Sequence, residues 1–97
     1  MLDECKALAN ETRLRVLEWL KDPEAHFPIA DDCTAALGVC VGLLQRKAGT
    51  SASTMSAHLA VLQRAGFVTA TRRGQWTYYR RDEQRIREFA ERVHRDL

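Results

Sequence analysis

The residues best suited to chemistry in this 97-residue chain fall into three sets. One is a run of short hydroxyl side chains, Ser51, Ser53, Thr54 and Ser56, followed by His58 and Arg64. Another is Arg72, Arg73 and Gln75 around Gly74, and the last is the thiols Cys5, Cys33 and Cys40. Hydroxyls and guanidiniums hydrogen-bond to phosphate oxygens and base edges, so the first two sets suit a polyanion. Thiols suit a metalloid, a soft metal or an oxidant. An odd cysteine count without a Cys-x-x-Cys pair is not a secreted disulfide framework, and reduced thiols are the plain reading. Cys33 and Cys40 are close enough in sequence to meet as a disulfide, or to form a three-thiol site with Cys5, across two subunits if need be. His26, His58 and His94 are scattered, which argues against a closed zinc site. No cysteine is spaced with a histidine and an orienting carboxylate for nucleophilic catalysis, so the chain is not expected to be an enzyme. No other cofactor is implied.

These residues need elements to position them. Leu2, Cys5, Leu8 and Ala9 fall at helical spacing. Asn10 caps a second helix running to about Lys21, with Leu14, Leu17 and Leu20 as its buried stripe and Val16 and Trp19 beside it. Asp22-Pro23 stops it. From Pro23 to about Leu37 the sequence reads as a loop, with a short helical turn near Thr34 to Leu37. A third helix is expected over Val39 to Ala48, ended by Gly49 as a left-handed cap. Ser51 caps a fourth over Ala52 to Ala65, ended by Gly66. Helix, glycine turn, helix is the helix-turn-helix arrangement. Phe67 to Arg72 and Gln75 to Arg81 are rich in Val, Thr, Trp and Tyr and flank Arg73-Gly74, which predicts a β-hairpin. Trp76 and Tyr78 are expected to be core residues of it. Asp82 then caps a last helix in which Ile86, Phe89, Ala90, Val93 and Leu97 share one face.

The predicted class is mainly α with a small β-hairpin: a winged helix-turn-helix in the order α-α-α-α-β-β-α. At this length residues 1–97 are expected to form one domain. Hydrophobic residues make up 45% and charged residues 29%, which excludes a disordered chain. No apolar run approaches a membrane span and the first residues lack a signal stretch, so a cytoplasmic protein without membrane contact is expected. The formal net charge is only +2, but residues 1–32 hold eight acidic and four basic side chains, whereas residues 33–97 hold five and eleven. A basic half of this kind is a footprint for nucleic acid, although charge alone also fits a solvated surface.

On the fourth helix, Met55, Leu59 and Leu62 form the packing stripe, and Ser53, Ala57, Ala60 and Arg64 the opposite face. A face of small side chains lets a helix approach the major groove closely, while arginines at a hairpin tip suit phosphates or a narrow minor groove. The expected partner is therefore double-stranded DNA. A chain this short has little surface with which to bury two amphipathic terminal helices. Leu2, Cys5, Leu8, Ile86, Phe89, Ala90, Val93 and Leu97 are the expected interface of a homodimer, which would set two recognition helices about one DNA turn apart over an inverted repeat. The alternative is a winged protein-interaction module that does not read DNA.

Three segments resemble the ArsR (ArsR/SmtB-like) family of bacterial repressors. ALANETRLRVLEWL resembles the family's opening A-L-A-[DN]-x-T-R-L-x-I-L signature. AGTSASTMSAHLAVLQRAGFV resembles its recognition stretch, and RRGQWTYYR its R-x-G-R-x-x-Y-Y wing. The resemblance implies a dimeric winged-helix repressor joined through its terminal helices, often released from DNA by a metal, metalloid or oxidant. It also implies that Ser53, Thr54, Ser56, His58, Arg72, Arg73 and Gln75 face DNA. Ala52 and Ala57 depart from the longer polar residues usual there, which shifts weight to phosphates and the wing. The family's arsenic-sensing Cys-Val-Cys is reduced here to Cys40-Val41-Gly42, and its zinc-sensing Asp-x-His is missing from the last helix.

Overall fold

A computed structural model of the chain describes residues 1–28 and 37–97. The elements are α1 (Leu2–Leu8), α2 (Glu11–Lys21), α3 (Pro23–His26), β1 (Val39–Cys40), α4 (Val41–Ala48), α5 (Ala52–Arg64), β2 (Val68–Arg73), β3 (Trp76–Arg81) and α6 (Glu83–Asp96). The fold is mainly helical, with one small antiparallel sheet in the order β1-β3-β2. The expected side-chain caps form. The Asn10, Ser51 and Asp82 side chains accept from the backbone N–H of Arg13, Thr54 and Arg85 at 3.0, 3.1 and 3.2 Å. Each such cap is worth about 1 kcal/mol. Gly49 adopts φ 72°, ψ 30°, the left-handed cap that ends α4 and sets the turn into α5.

The core joins Val16, Leu17 and Leu20 of α2, Leu44 of α4, and Met55, Leu59 and Leu62 of α5 to Phe67 and Val68 at the start of the hairpin. Phe67 meets Phe89 of α6 edge-on, with ring centroids 5.3 Å apart.

Three expectations about these segments need correction, and a fourth is not tested. Pro23–His26 is helical rather than loop, because proline suits a first helical turn and the buried Phe27 anchors the segment edge-on against Trp19. Lys47 lies over both rings, 5.4 and 5.7 Å from their centroids. The expected turn near Thr34 falls almost wholly outside the described residues. Leu14 is 50% exposed. The inward face of α2 passes through Arg13, Val16, Leu17 and Leu20, so Leu14 lies off it. Finally, Val39 and Cys40 do not open a helix. They pair with Tyr79 and Tyr78 as a third strand, and α4 starts only at Val41.

That third strand fixes the outlook of β3. Tyr79 packs against the core and Arg81 donates to the Leu17 carbonyl at 3.2 Å. By strand alternation Trp76, Tyr78 and Arg80 then lie on the opposite face. Trp76 is 54% exposed, which corrects its expected place in the core. Gly38 permits the close pairing of β1. It sits at φ 108°, and a Cβ there would lie 2.1 Å from the Tyr79 carbonyl oxygen. Gly38→Ala should therefore lower stability by roughly 2–3 kcal/mol, measured by urea unfolding. Gly74→Ala, where no atom lies within 4 Å of the added Cβ, should cost less.

Candidate nucleic-acid interface

The N-terminal half of α5 offers an exposed, uncharged surface. Ser51, Ala52, Ser53, Thr54, Ser56 and Ala57 are all exposed, and the first turn has no acidic residue. The hydroxyls are ordered among themselves: Ser51 Oγ lies 2.9 Å from Thr54 Oγ1 and 3.2 Å from Ser53 Oγ. Backbone N–H groups at a helix start and a ring of hydroxyls together make a good phosphate or base-edge donor set. Arg64 is exposed at the other end of α5. Arg72, Arg73, Gly74, Gln75 and Trp76 are exposed at the hairpin tip, where Arg72 Nε donates to the Gly74 carbonyl at 3.2 Å.

His58 does not lie on the exposed face with the serines. It is half-buried on the inner flank of α5, where its Nδ1 accepts a hydrogen bond from Arg13 Nη1 at 3.1 Å. It therefore packs at the contact between α2 and α5, away from the exposed hydroxyls with which it was expected to face DNA. Arg13 also donates from Nε to the Ala7 carbonyl at 2.6 Å and from Nη2 to the Lys6 carbonyl at 3.1 Å. One guanidinium so ties the end of α1 to α2 and α5. Sequence reasoning missed Arg13 because it reads as a surface cation. Its helical spacing to Val16, Leu17 and Leu20 was the available signal.

Of the expected dimer residues, Leu2 and Cys5 on α1 are exposed, and Leu8 is partly buried against the core. On α6, Ile86, Phe89 and Val93 are half-buried, while Ala90 and Leu97 are exposed. Arg92 of α6 is ion-paired with Glu4 of α1, which links the two terminal helices. The Met1 ammonium and Arg92 hold the Glu4 carboxyl below its ordinary value. Cys40 is a half-buried free thiol at the junction of β1 and α4, Cys5 is an exposed free thiol, and Cys33 lies outside the described residues. Among the described residues no group of three His, Cys, Asp or Glu side chains could hold a metal. No described helix is long and apolar enough to cross a membrane.

No family model matches the chain. It is, however, 45% identical over 87 residues to YbzH of Bacillus subtilis, an uncharacterized HTH-type transcriptional regulator, covering 89% of this chain and 87% of YbzH. It is 32% identical over 90 residues to the transcriptional activator HlyU of Vibrio cholerae, covering 93% of this chain and 70% of HlyU. Among solved structures it is similar to the homodimeric winged helix-turn-helix DNA-binding domain Mb0332 of Mycobacterium bovis, a possible ArsR-family regulator. That match has a TM-score of 0.67 at 31% identity, over 98% of this chain and 77% of the other. The chain belongs to the ArsR family of HTH-type transcriptional regulators. Its relatives are regulators and not enzymes.

In this ArsR-family regulator the Arg13–His58 contact gives a pH dependence. Burial, and then the charge of Arg13, hold the His58 imidazole below its ordinary value of 6.5. The folded state therefore favours the neutral ring that accepts from Arg13. A depressed folded value makes the contribution complete above the unfolded value and lost as pH falls through the folded one. Urea midpoints should accordingly drop between about pH 7.5 and pH 5. His58→Gln keeps an acceptor without a titrating ring and should flatten that part of the profile.

Proposed function

We propose that this regulator acts as a homodimeric repressor that seats α5 in the major groove of an inverted-repeat operator and lays the β2–β3 tip against the flanking backbone or minor groove. The observation that carries this reading is the fully exposed, acid-free and hydroxyl-lined start of α5. With Ala52 and Ala57 exposed beside the serines, direct base readout is sparse. Phosphate contacts, duplex shape and the wing then carry most of the affinity. The DNA-facing set is Ser51, Ser53, Thr54, Ser56, Arg64, Arg72, Arg73 and Gln75. Trp76 joins it as an exposed ring beside Arg73, its cross-strand partner. The dimer reading draws support from α6, an amphipathic helix with no fully buried residue. Release by a metalloid, soft metal or oxidant at the thiols belongs to the same reading, as does a cytoplasmic, single-domain protein.

Duplex binding should be salt-dependent, and Arg72→Ala and Arg73→Ala should each reduce the slope of log K against log salt by about 0.9. Trp76→Ala should weaken binding with the slope unchanged, since the ring neutralises no phosphate. If both arginine variants bind a duplex of the gene's own upstream region as wild type does, the wing assignment fails. Sedimentation equilibrium should show a dimer, and Ala90→Glu, which charges an exposed position on the α6 face, should yield a folded monomer with weaker duplex binding.

A further inference from the structure

A cleft of about 250 Å³ opens between α1 and α5, away from the serine-lined start of α5. Its apolar lining is Ala7, Val61 and Ala65, and its cations are Lys6, Arg13 and Arg64. Asp3 also lines it, one carboxylate against three basic groups. Among the described residues none of the three cations makes an ion pair. Arg13 spends three of its N–H donors on the Ala7 and Lys6 carbonyls and on His58. A guanidinium carries five, so two remain. Like charges gathered in a partly apolar hollow focus a positive potential that an anion relieves. The volume is below the roughly 300–1,000 Å³ of sites for drug-sized ligands, which restricts the occupant to a small molecule.

We infer that this cleft binds a small organic carboxylate, its apolar body on Val61 and Ala65 and its carboxylate among Lys6, Arg13 and Arg64. A bare inorganic anion would satisfy the charges and leave the apolar surface wet. The site bridges α1, a terminal helix, and α5. Its regulatory meaning rests on the DNA reading above, because Arg64 belongs to both surfaces. A carboxylate that engages Arg64 withdraws it from the duplex, and the two ligands disfavour each other reciprocally.

The probe is benzoate, titrated calorimetrically into the full chain, with acetate and inorganic phosphate for comparison at constant ionic strength. Benzoate should bind more tightly than either. Lys6→Gln and Arg64→Gln should each weaken it by about tenfold. Saturating benzoate should raise the dissociation constant for a mixed-sequence duplex roughly five- to tenfold in the wild type and not in Lys6→Gln. Absence of benzoate binding by a protein that still binds duplex overturns the site and leaves the DNA reading standing. Benzoate binding by a protein that binds no duplex does the reverse. Equal binding of benzoate, acetate and phosphate overturns the carboxylate assignment. So does a Lys6→Gln variant that loses duplex affinity and salt slope as Arg72→Ala does but takes up benzoate normally, since the cleft would then be a phosphate contact.

Discussion

A helix that ends inside a protein leaves its last carbonyls in need of donors, and here Arg13 supplies them for α1. The same guanidinium meets His58 on α5, so a single cation fixes the relation of three helices. Placing positive charge at a helix C-terminus is favourable in itself. The partly buried charge persists because carbonyls and a neutral ring surround it, not because a carboxylate compensates it. The helix that carries the serine face and the helix that carries Leu2 and Cys5 thus share one joint. The cleft between them inherits the surplus positive charge of that joint.

Much of the architecture was legible because its signals are local. Asn10, Ser51 and Asp82 announce helix starts through a hydrogen bond that needs only three residues of sequence. Gly49 announces a turn through a backbone angle that other residues resist. The hairpin was legible to within a residue, and the apolar face of α6 was read directly from its period. The hydroxyls of α5 and the arginines of the wing were picked out by residue type and place, and both prove to be exposed.

The features that escaped depend on partners distant in sequence. A strand of two residues has no periodicity, and Val39–Cys40 becomes a strand only because Tyr78 and Tyr79 come alongside. Trp76 is apolar enough to suggest burial, yet the outlook of its strand is settled by Tyr79 and Arg81 facing inward. Arg13 was missed for the opposite reason, as a charged residue on an inward face. His58 then follows Arg13 inward. In each case residue type and position in the fold point different ways, and the tertiary contact decides.

Because β1 runs into α4 without an intervening linker, the hairpin is spliced to the first helix of the helix-turn-helix through Cys40. A ribbon held only by its own turn would flail, and quieting it on contact would consume part of any attraction gained. This ribbon is moored at Tyr78 and Tyr79 by a third strand, so its base is already stiff when the tip meets whatever it touches. The same splice makes Cys40 a junction box: any bulky adduct on that sulfur would push at the sheet and the helix together.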